Sequence, residues 1–135
     1  MTATVQQVAE GIACALQDAD VRAYADQPDN ITPPCAVVVL DSVPTFHGAQ
    51  QAGLPTYSMR VQVVVDNLES RTAFTRLNEM MSFDGDRSVR RAIEADRTLD
   101  GVCQTLIVER VENIGQVEVG QVRYLAADVL VTVHA

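Results

Sequence analysis

Residues 57–65 read YSMRVQVVV, and this stretch is the strongest indicator of the fold. Its odd-numbered positions from Tyr57 to Val65 are all apolar, whereas Ser58, Arg60 and Gln62 occupy alternate positions. Because successive side chains of a strand point to opposite faces of a sheet, this period of two predicts a half-buried antiparallel strand. We therefore expect a sheet that packs on one face and is more polar on the other.

The N-terminal segment has the periodicity of an amphipathic helix. Thr4 and Gln7 have the spacing of a capping box, which marks a helix start. Cys14 lies opposite the apolar stripe, so we expect it to be exposed or covered by another subunit. The residues that share the apolar face at 3.6 residues per turn are Val5, Val8, Ala9, Ile12, Ala13 and Leu16.

Two further helices are predicted in the middle of the chain. We expect Asp66 or Asn67 to cap the first of them, and residues 82–85 to end it. Ser88 is expected to cap a short helix that ends by Thr98. The apolar positions that share a face of the first of these helices are Ala73, Phe74, Leu77, Met80 and Met81.

The remaining segments favour strands separated by turns. Strands are predicted at 21–25, 36–40 (buried on both faces), 105–111, 117–119 and 122–133, with a long loop over 41–56 and a tight turn at 120–121. Apolar residues change from even to odd numbers near Leu125 and Ala126, which predicts a bulge there. The order α-β-β-β-α-α-β-β-β indicates an α+β fold, a mainly antiparallel sheet with the helices packed on one face.

The chain is strongly acidic and contains no lysine. Its 135 residues include 18 Asp and Glu against 10 basic residues, all arginine, for a net charge of −8. This excess of acidic over basic residues argues against a domain that binds duplex DNA by neutralising phosphates. No apolar run approaches the ~20 residues of a membrane span, and the N-terminus lacks a signal-peptide pattern. We expect a single globular domain over residues 1–135.

Few residues suit metal or cofactor chemistry. Cys14, Cys35 and Cys103 are far apart in the sequence, and the two histidines are His47 and His134. None of these residues has metal-ligand spacing, and no phosphate-binding glycine motif occurs. We therefore expect no metal, no cofactor and no catalytic set. Reduced, separate cysteines indicate a cytoplasmic protein.

One loop nevertheless contains the residue types of a hydrolytic triad. Asp41, Ser42 and His47 lie within seven positions of one another. A triad is defined by geometry and not by proximity in sequence, so an ordinary loop is the favoured interpretation. A small cytoplasmic enzyme that uses these residues remains an alternative.

Three arginines surround the third predicted helix. Arg87, Arg90 and Arg91 lie close to several carboxylates, which favours a solvated face with pairs at i,i+3 and i,i+4. The alternative is a contact between subunits, since Arg is preferred to Lys at interfaces.

The order of these features resembles that of a known family. The amphipathic helix is followed by ADQPDNITPPCAVVVLDSVPTFHGA, the alternating strand, RLNEMMSFDGDRSVRRAIEADRTLDGV and a closing VERVENIGQVEVGQVRYLAADVLVTVHA. This succession resembles the tail terminator proteins of long-tailed phages of actinobacteria, also called minor tail or tail assembly proteins. The most specific pieces are residues 28–34, 85–101 and 120–125, and none is a catalytic signature.

The resemblance implies a structural virion protein and no enzyme. Such proteins form a ring, expected to be hexameric, on the head-proximal end of the tail tube, where they stop polymerisation of the major tail protein. The ring also docks head-completion or connector proteins, and DNA passes through its lumen without specific binding. Assembly takes place in the host cytoplasm. A head-completion or neck connector protein of the same virion is the nearest alternative.

A ring requires head-to-tail contacts between subunits. The candidate subunit or tube contacts are Cys14, Phe46, His47, Arg87, Arg90 and Arg91. An acidic chain without lysine would also repel DNA in the lumen, which is a hypothesis that an arginine-lined lumen would contradict.

Overall fold

In the part of the chain that it describes, the computed structural model shows an α+β fold in which a five-stranded sheet carries three helices. It describes residues 4–19, 21–25, 35–45, 56–67, 73–82, 85, 88–99, 101–103, 105–119 and 122–134. The elements are α1 (Val5–Asp18), β1 (Arg22–Tyr24), β2 (Cys35–Thr45), β3 (Thr56–Asn67), α2 (Ala73–Met81), α3 (Val89–Glu94), β4 (Thr105–Val119) and β5 (Val122–His134).

The sheet has the strand order β1-β2-β3-β5-β4. Only the short strand β1 runs parallel to its neighbour, β2, and the other pairs are antiparallel. The odd-numbered residues of β3 are buried beneath the helices, as the alternation at 57–65 predicts. The predicted fold class, with an N-terminal helix and a later helical pair on one face of the sheet, is therefore confirmed.

The helix α1 forms as the sequence predicts. Its capping box is complete, because the Thr4 Oγ1 accepts from the Gln7 backbone N–H at 3.2 Å and the Gln7 Oε1 accepts from the Thr4 N–H at 2.9 Å. Its buried face contains Val8, Ala9, Ile12, Ala13 and Leu16. These side chains pack on the sheet, and this burial holds the helix in place.

The predicted caps of the other two helices have opposite outcomes. Asp66 and Asn67 pair with Leu125 and Tyr124 inside the sheet, so the prediction that one of them caps α2 is wrong. The antiparallel pairing of β3 with β5 continues two residues beyond the alternating stretch at 57–65. Ser88 does cap α3, since its Oγ accepts from the Arg91 backbone N–H at 3.2 Å.

The strand β2 is longer than predicted. Residues 41–45 belong to it, and the predicted loop over 41–56 is wrong for this part. Two register shifts, between Leu40 and Ser42 and between Ser42 and Thr45, let β2 pair with β3 despite Pro44. The predicted burial on both faces holds at residues 36–38 and fails at Leu40, which is 42% exposed.

The strand β4 is continuous where two strands were predicted. Residues 105–111 and 117–119 are joined because β4 absorbs extra residues in bulges while it stays paired with β5. One bulge lies between Val108 and Arg110, and the other lies between Glu112 and Gly115. Asn113 in the second bulge has φ +55°, a backbone conformation that Asn tolerates better than most residues.

The predicted change of face within β5 is wrong. Odd-numbered residues from Leu125 to Val133 face the main core throughout, while Ala126 and Tyr124 pack on the opposite face. The irregularity lies instead in the neighbouring strands. Both β3 and β4 have one residue more than β5 at the level of Ala126, so the bulges occur opposite the predicted position.

Candidate interaction surface

An open groove of about 350 Å³ lies between α1 and the turn that follows α3. One wall is the side of α1 that faces away from the core, including Cys14, and the other wall contains Leu99 and Val102. Gly11 permits the close approach of the two walls, because a Cβ at this position would lie 3.2 Å from the Leu99 side chain. The described residues that line the groove are Gln7, Glu10, Gly11, Cys14, Ala15, Asp18, Asp96, Leu99 and Val102.

The groove combines an apolar floor with a negative rim. Glu10, Asp18 and Asp96 are its charged residues, and none of the described lining residues is basic. Glu10 accepts a hydrogen bond from the Gln6 amide at 3.1 Å, and Asp96 accepts one from the Thr98 hydroxyl at 2.8 Å. The groove is therefore suited to a cationic side chain with an apolar stem, since both parts would find complementary surface.

Cys14 is exposed, which is one of the two outcomes predicted from its position off the apolar stripe. Cys35 and Cys103 are buried thiols. Burial, and next the negative charge of Asp96, raises the pKa of the Cys103 thiol. The thiolate fraction of Cys103 at a given pH is therefore smaller than that of an ordinary cysteine.

Alkylation of the dilute folded protein with a maleimide near neutral pH is expected to modify Cys14 first. The thiolate is the reactive species, and the reagent can reach Cys14, whereas Cys35 and Cys103 are buried. Peptide mass spectrometry at increasing times would measure the order of modification. Denatured protein serves as the control, in which all three thiols should react, and equally fast modification of Cys103 in the folded protein would contradict the prediction.

Two arginines on and after α3 pair with Glu94. The Arg90 Nη1 lies 2.8 Å from the Glu94 Oε1, and the Arg97 Nη2 lies 3.8 Å from the other oxygen of Glu94. The Arg90 pair has the i,i+4 spacing that the sequence predicts, whereas Arg97 lies beyond α3 and outside the predicted arginine cluster. Arg91 is exposed and donates its backbone N–H to the Ser88 cap. Arg87 lies outside the described residues.

The structure describes two of the three residues that form the alternative hydrolytic triad, Asp41 and Ser42. Phe46 and His47 lie outside the described residues. Asp41 lies on β2, where its Oδ1 accepts a hydrogen bond from the Arg60 Nη2 at 2.7 Å, and the neighbouring Ser42 pairs with Ser58 of β3. Asp41 is thus already committed to Arg60, which makes it less available to orient a histidine.

A buried polar network on the second face of the sheet was missed from the sequence. The Asp128 Oδ2 accepts from the Arg60 Nη1 at 3.2 Å and from the Asn113 Nδ2 at 3.0 Å. Asp128 is only 6% exposed, and the buried Arg60 Nε has no recorded partner among the described residues. The one sequence signal was a carboxylate in the middle of the apolar run 125–133. The network links β2, β3, β5 and the bulge of β4.

Other kinds of site find little support in the described ranges. No three His, Cys, Asp or Glu side chains among these residues come together in a way that could hold a metal ion. No helix within the same ranges is long and apolar enough to cross a membrane. Within the described ranges, the groove beside α1 is an accessible surface that combines apolar and acidic side chains.

No protein-family model matches the chain, and no curated protein is significantly similar to it. The fold and the groove together define an α+β domain with an open, acidic and apolar contact surface.

Proposed function

We propose that this protein is the tail terminator of a long-tailed phage, a structural virion protein that forms a ring on the head-proximal end of the tail tube. In this role it stops polymerisation of the major tail protein and provides the docking surface for head-completion or connector proteins. DNA passes through the lumen of the ring without specific binding. The ring is expected to contain six copies.

The placement of two sequence blocks behind the resemblance supports this proposal. The described part of residues 85–101 supplies α3 and part of one groove wall, including Asp96 and Leu99. Of residues 120–125, Val122 to Leu125 begin β5 beside the last residues of β4. Each block adds a buried residue to the core, Ile93 and Leu125, and also an exposed residue, Asp96 and Arg123, that is accessible to a neighbouring copy. This is the observation on which the proposal mainly rests.

The charge of the chain is compatible with a passage for DNA. A net charge of −8 without lysine disfavours tight binding to phosphates. Arg60, Arg90 and Arg110 each form an ion pair with a carboxylate of the same chain, which reduces their positive potential. A lumen lined by unpaired arginine would contradict this part of the proposal.

The proposal is tested by deleting the gene in the phage that encodes this protein. The expected result is tails of uncontrolled length or polytubes that fail to join heads, because nothing stops tube growth. Electron microscopy of lysates measures the tail lengths, and complementation with the wild-type gene is the control. Tails of normal length joined to heads would contradict the proposal.

The gene deletion and one point variant separate the alternatives. Loss of a head-completion or connector protein would leave tails of normal length that lack heads. An enzyme that uses Asp41, Ser42 and His47 would be inactivated by His47→Ala. Normal ring assembly and infectivity in that variant would count against a catalytic role.

A further inference from the structure

We propose that the groove beside α1 receives Arg123 from a neighbouring copy of this chain, and that this contact links the subunits head to tail. The inference rests on the proposed function, since it describes how copies associate into a ring. It names the surface and the residue that a neighbour contributes.

Arg123 is placed and charged for such a contact. It is exposed near the start of β5, where Glu118 of β4 is its cross-strand neighbour. Within the described residues it forms no ion pair, whereas Arg60, Arg90, Arg97 and Arg110 all do. The last pair of β3 with β5 is Asn67 with Tyr124, so Arg123 lies on the part of the hairpin that extends past this pairing.

The groove is the complementary surface. Its described charged residues, Glu10, Asp18 and Asp96, are all acidic, and its floor is apolar. An arginine side chain would place its guanidinium among these carboxylates and its methylene stem on Ala15 and Leu99. All ten basic residues of the chain are arginine, whose side chain combines a charged guanidinium with an apolar stem.

Arg123 cannot reach the groove wall that contains Leu99 and Val102 of its own chain. Val102 precedes the start of β4 at Thr105, and Glu118, opposite Arg123, lies thirteen residues further along this strand. At roughly 3.3 Å per residue the separation is on the order of 40 Å, which far exceeds the length of an arginine side chain. Contact between Arg123 and this wall is therefore a contact between two copies.

The contact joins two different surfaces. In a ring, each copy donates Arg123 to one neighbour and accepts it from another, and such contacts close when the rotation between copies permits. A two-fold dimer would instead exchange Arg123 reciprocally between the same two copies, and this arrangement would give no cross-linked species larger than a dimer.

Charge reversal tests the pairing in the full chain. Glu10→Arg and Arg123→Glu should each weaken self-association at least about tenfold, since each places like charges together. The double variant should recover much of the wild-type association. Glu79→Arg makes the same change of charge at an exposed position of α2 and is the matched control. Sedimentation velocity across a concentration series measures the association.

Cysteine cross-linking tests the geometry directly. In Arg123→Cys, oxidation with diamide is expected to join the new thiol to Cys14 of a neighbouring copy. Because each chain carries both thiols, a non-reducing gel should show a ladder that continues beyond dimers. Adding Cys14→Ser should abolish the ladder. Glu109→Cys, which places a thiol at an exposed position of β4, should give only background cross-linking. The remaining cysteines are buried.

The outcomes distinguish this contact from the proposed function. Association of the wild type that neither charge reversal alters would overturn the contact and leave the ring in place. A ladder equally strong in Glu109→Cys would also overturn it, as would a wild type that stays monomeric while Arg123→Cys gives no ladder. The terminator function is tested separately by the tail lengths of the deletion phage.

Discussion

Replacing Ile12 with Ala is expected to lower the free energy of unfolding by about 3 kcal/mol. Ile12 is fully buried on the inner face of α1, where it packs in the main core beneath the sheet. The substitution removes apolar contacts and leaves a cavity that the surrounding strands can fill only in part. Chemical denaturation with a fluorescent or circular dichroism readout would measure the change.

The matched control is Ile107→Ala. Ile107 lies on β4 and is 47% exposed, so the same truncation should cost about 1 kcal/mol or less. Equal losses for the two variants would show that α1 is not anchored as described.

Replacing Asp128 with Ala is expected to cost about 2 kcal/mol of stability. The substitution removes an acceptor from Arg60 and Asn113, and both donors lie in a partly buried part of the sheet. The Arg60 side chain is one third exposed and keeps Asp41 as a partner, so the loss is smaller than for a fully buried ion pair. Denaturant unfolding measures the effect.

A double-mutant cycle would separate the coupling energy between Arg60 and Asp128 from the cost of truncating each side chain. Arg60→Met combined with Asp128→Leu should be less destabilising than the sum of the two single changes, because no buried charge is left alone. The control is Glu112→Ala, the cross-strand neighbour of Asp128, whose partner Arg110 is well exposed. This change should stay within about 0.5 kcal/mol of wild type. Full additivity in the cycle would contradict a coupled network.

The two predictions concern opposite faces of the same sheet. Ile12 holds the helix that carries the groove, and Asp128 ties β5 to β3 and to the second bulge of β4. That bulge lies in the hairpin that ends near Arg123. The contacts on the two faces of the sheet therefore hold the groove and the hairpin with Arg123 in place, and these are the surfaces that we propose to meet between neighbouring copies.

Local patterns predicted the elements whose stabilising contacts are close in sequence. The helix α1 follows from its apolar period and from the pair Thr4 and Gln7, which are three residues apart. The cap at Ser88 and the alternation in β3 depend on equally short distances. The incorrect cap at Asp66 or Asn67 shows the limit, since pairing with a strand almost sixty residues away overrode a local preference.

The candidate surface was predictable only in part. The position of Cys14 off the apolar stripe indicated an exposed site, and the pairing of Arg90 with Glu94 followed from helix geometry. The acidic rim, in contrast, combines Glu10 with Asp96, which are 86 positions apart. Phe46, His47 and Arg87 lie outside the described residues, and their proposed roles stay predictions.

The α+β class, the amphipathic α1 and the half-buried β3 follow from local sequence patterns, because their side-chain periods repeat over a few residues. Three features became evident only in the folded chain: β4 is one strand with two bulges, β5 keeps one face to the core, and Asp128 is buried between Arg60 and Asn113. Strand register and polar burial depend on partners far along the chain, and these contacts form only when the sheet is assembled.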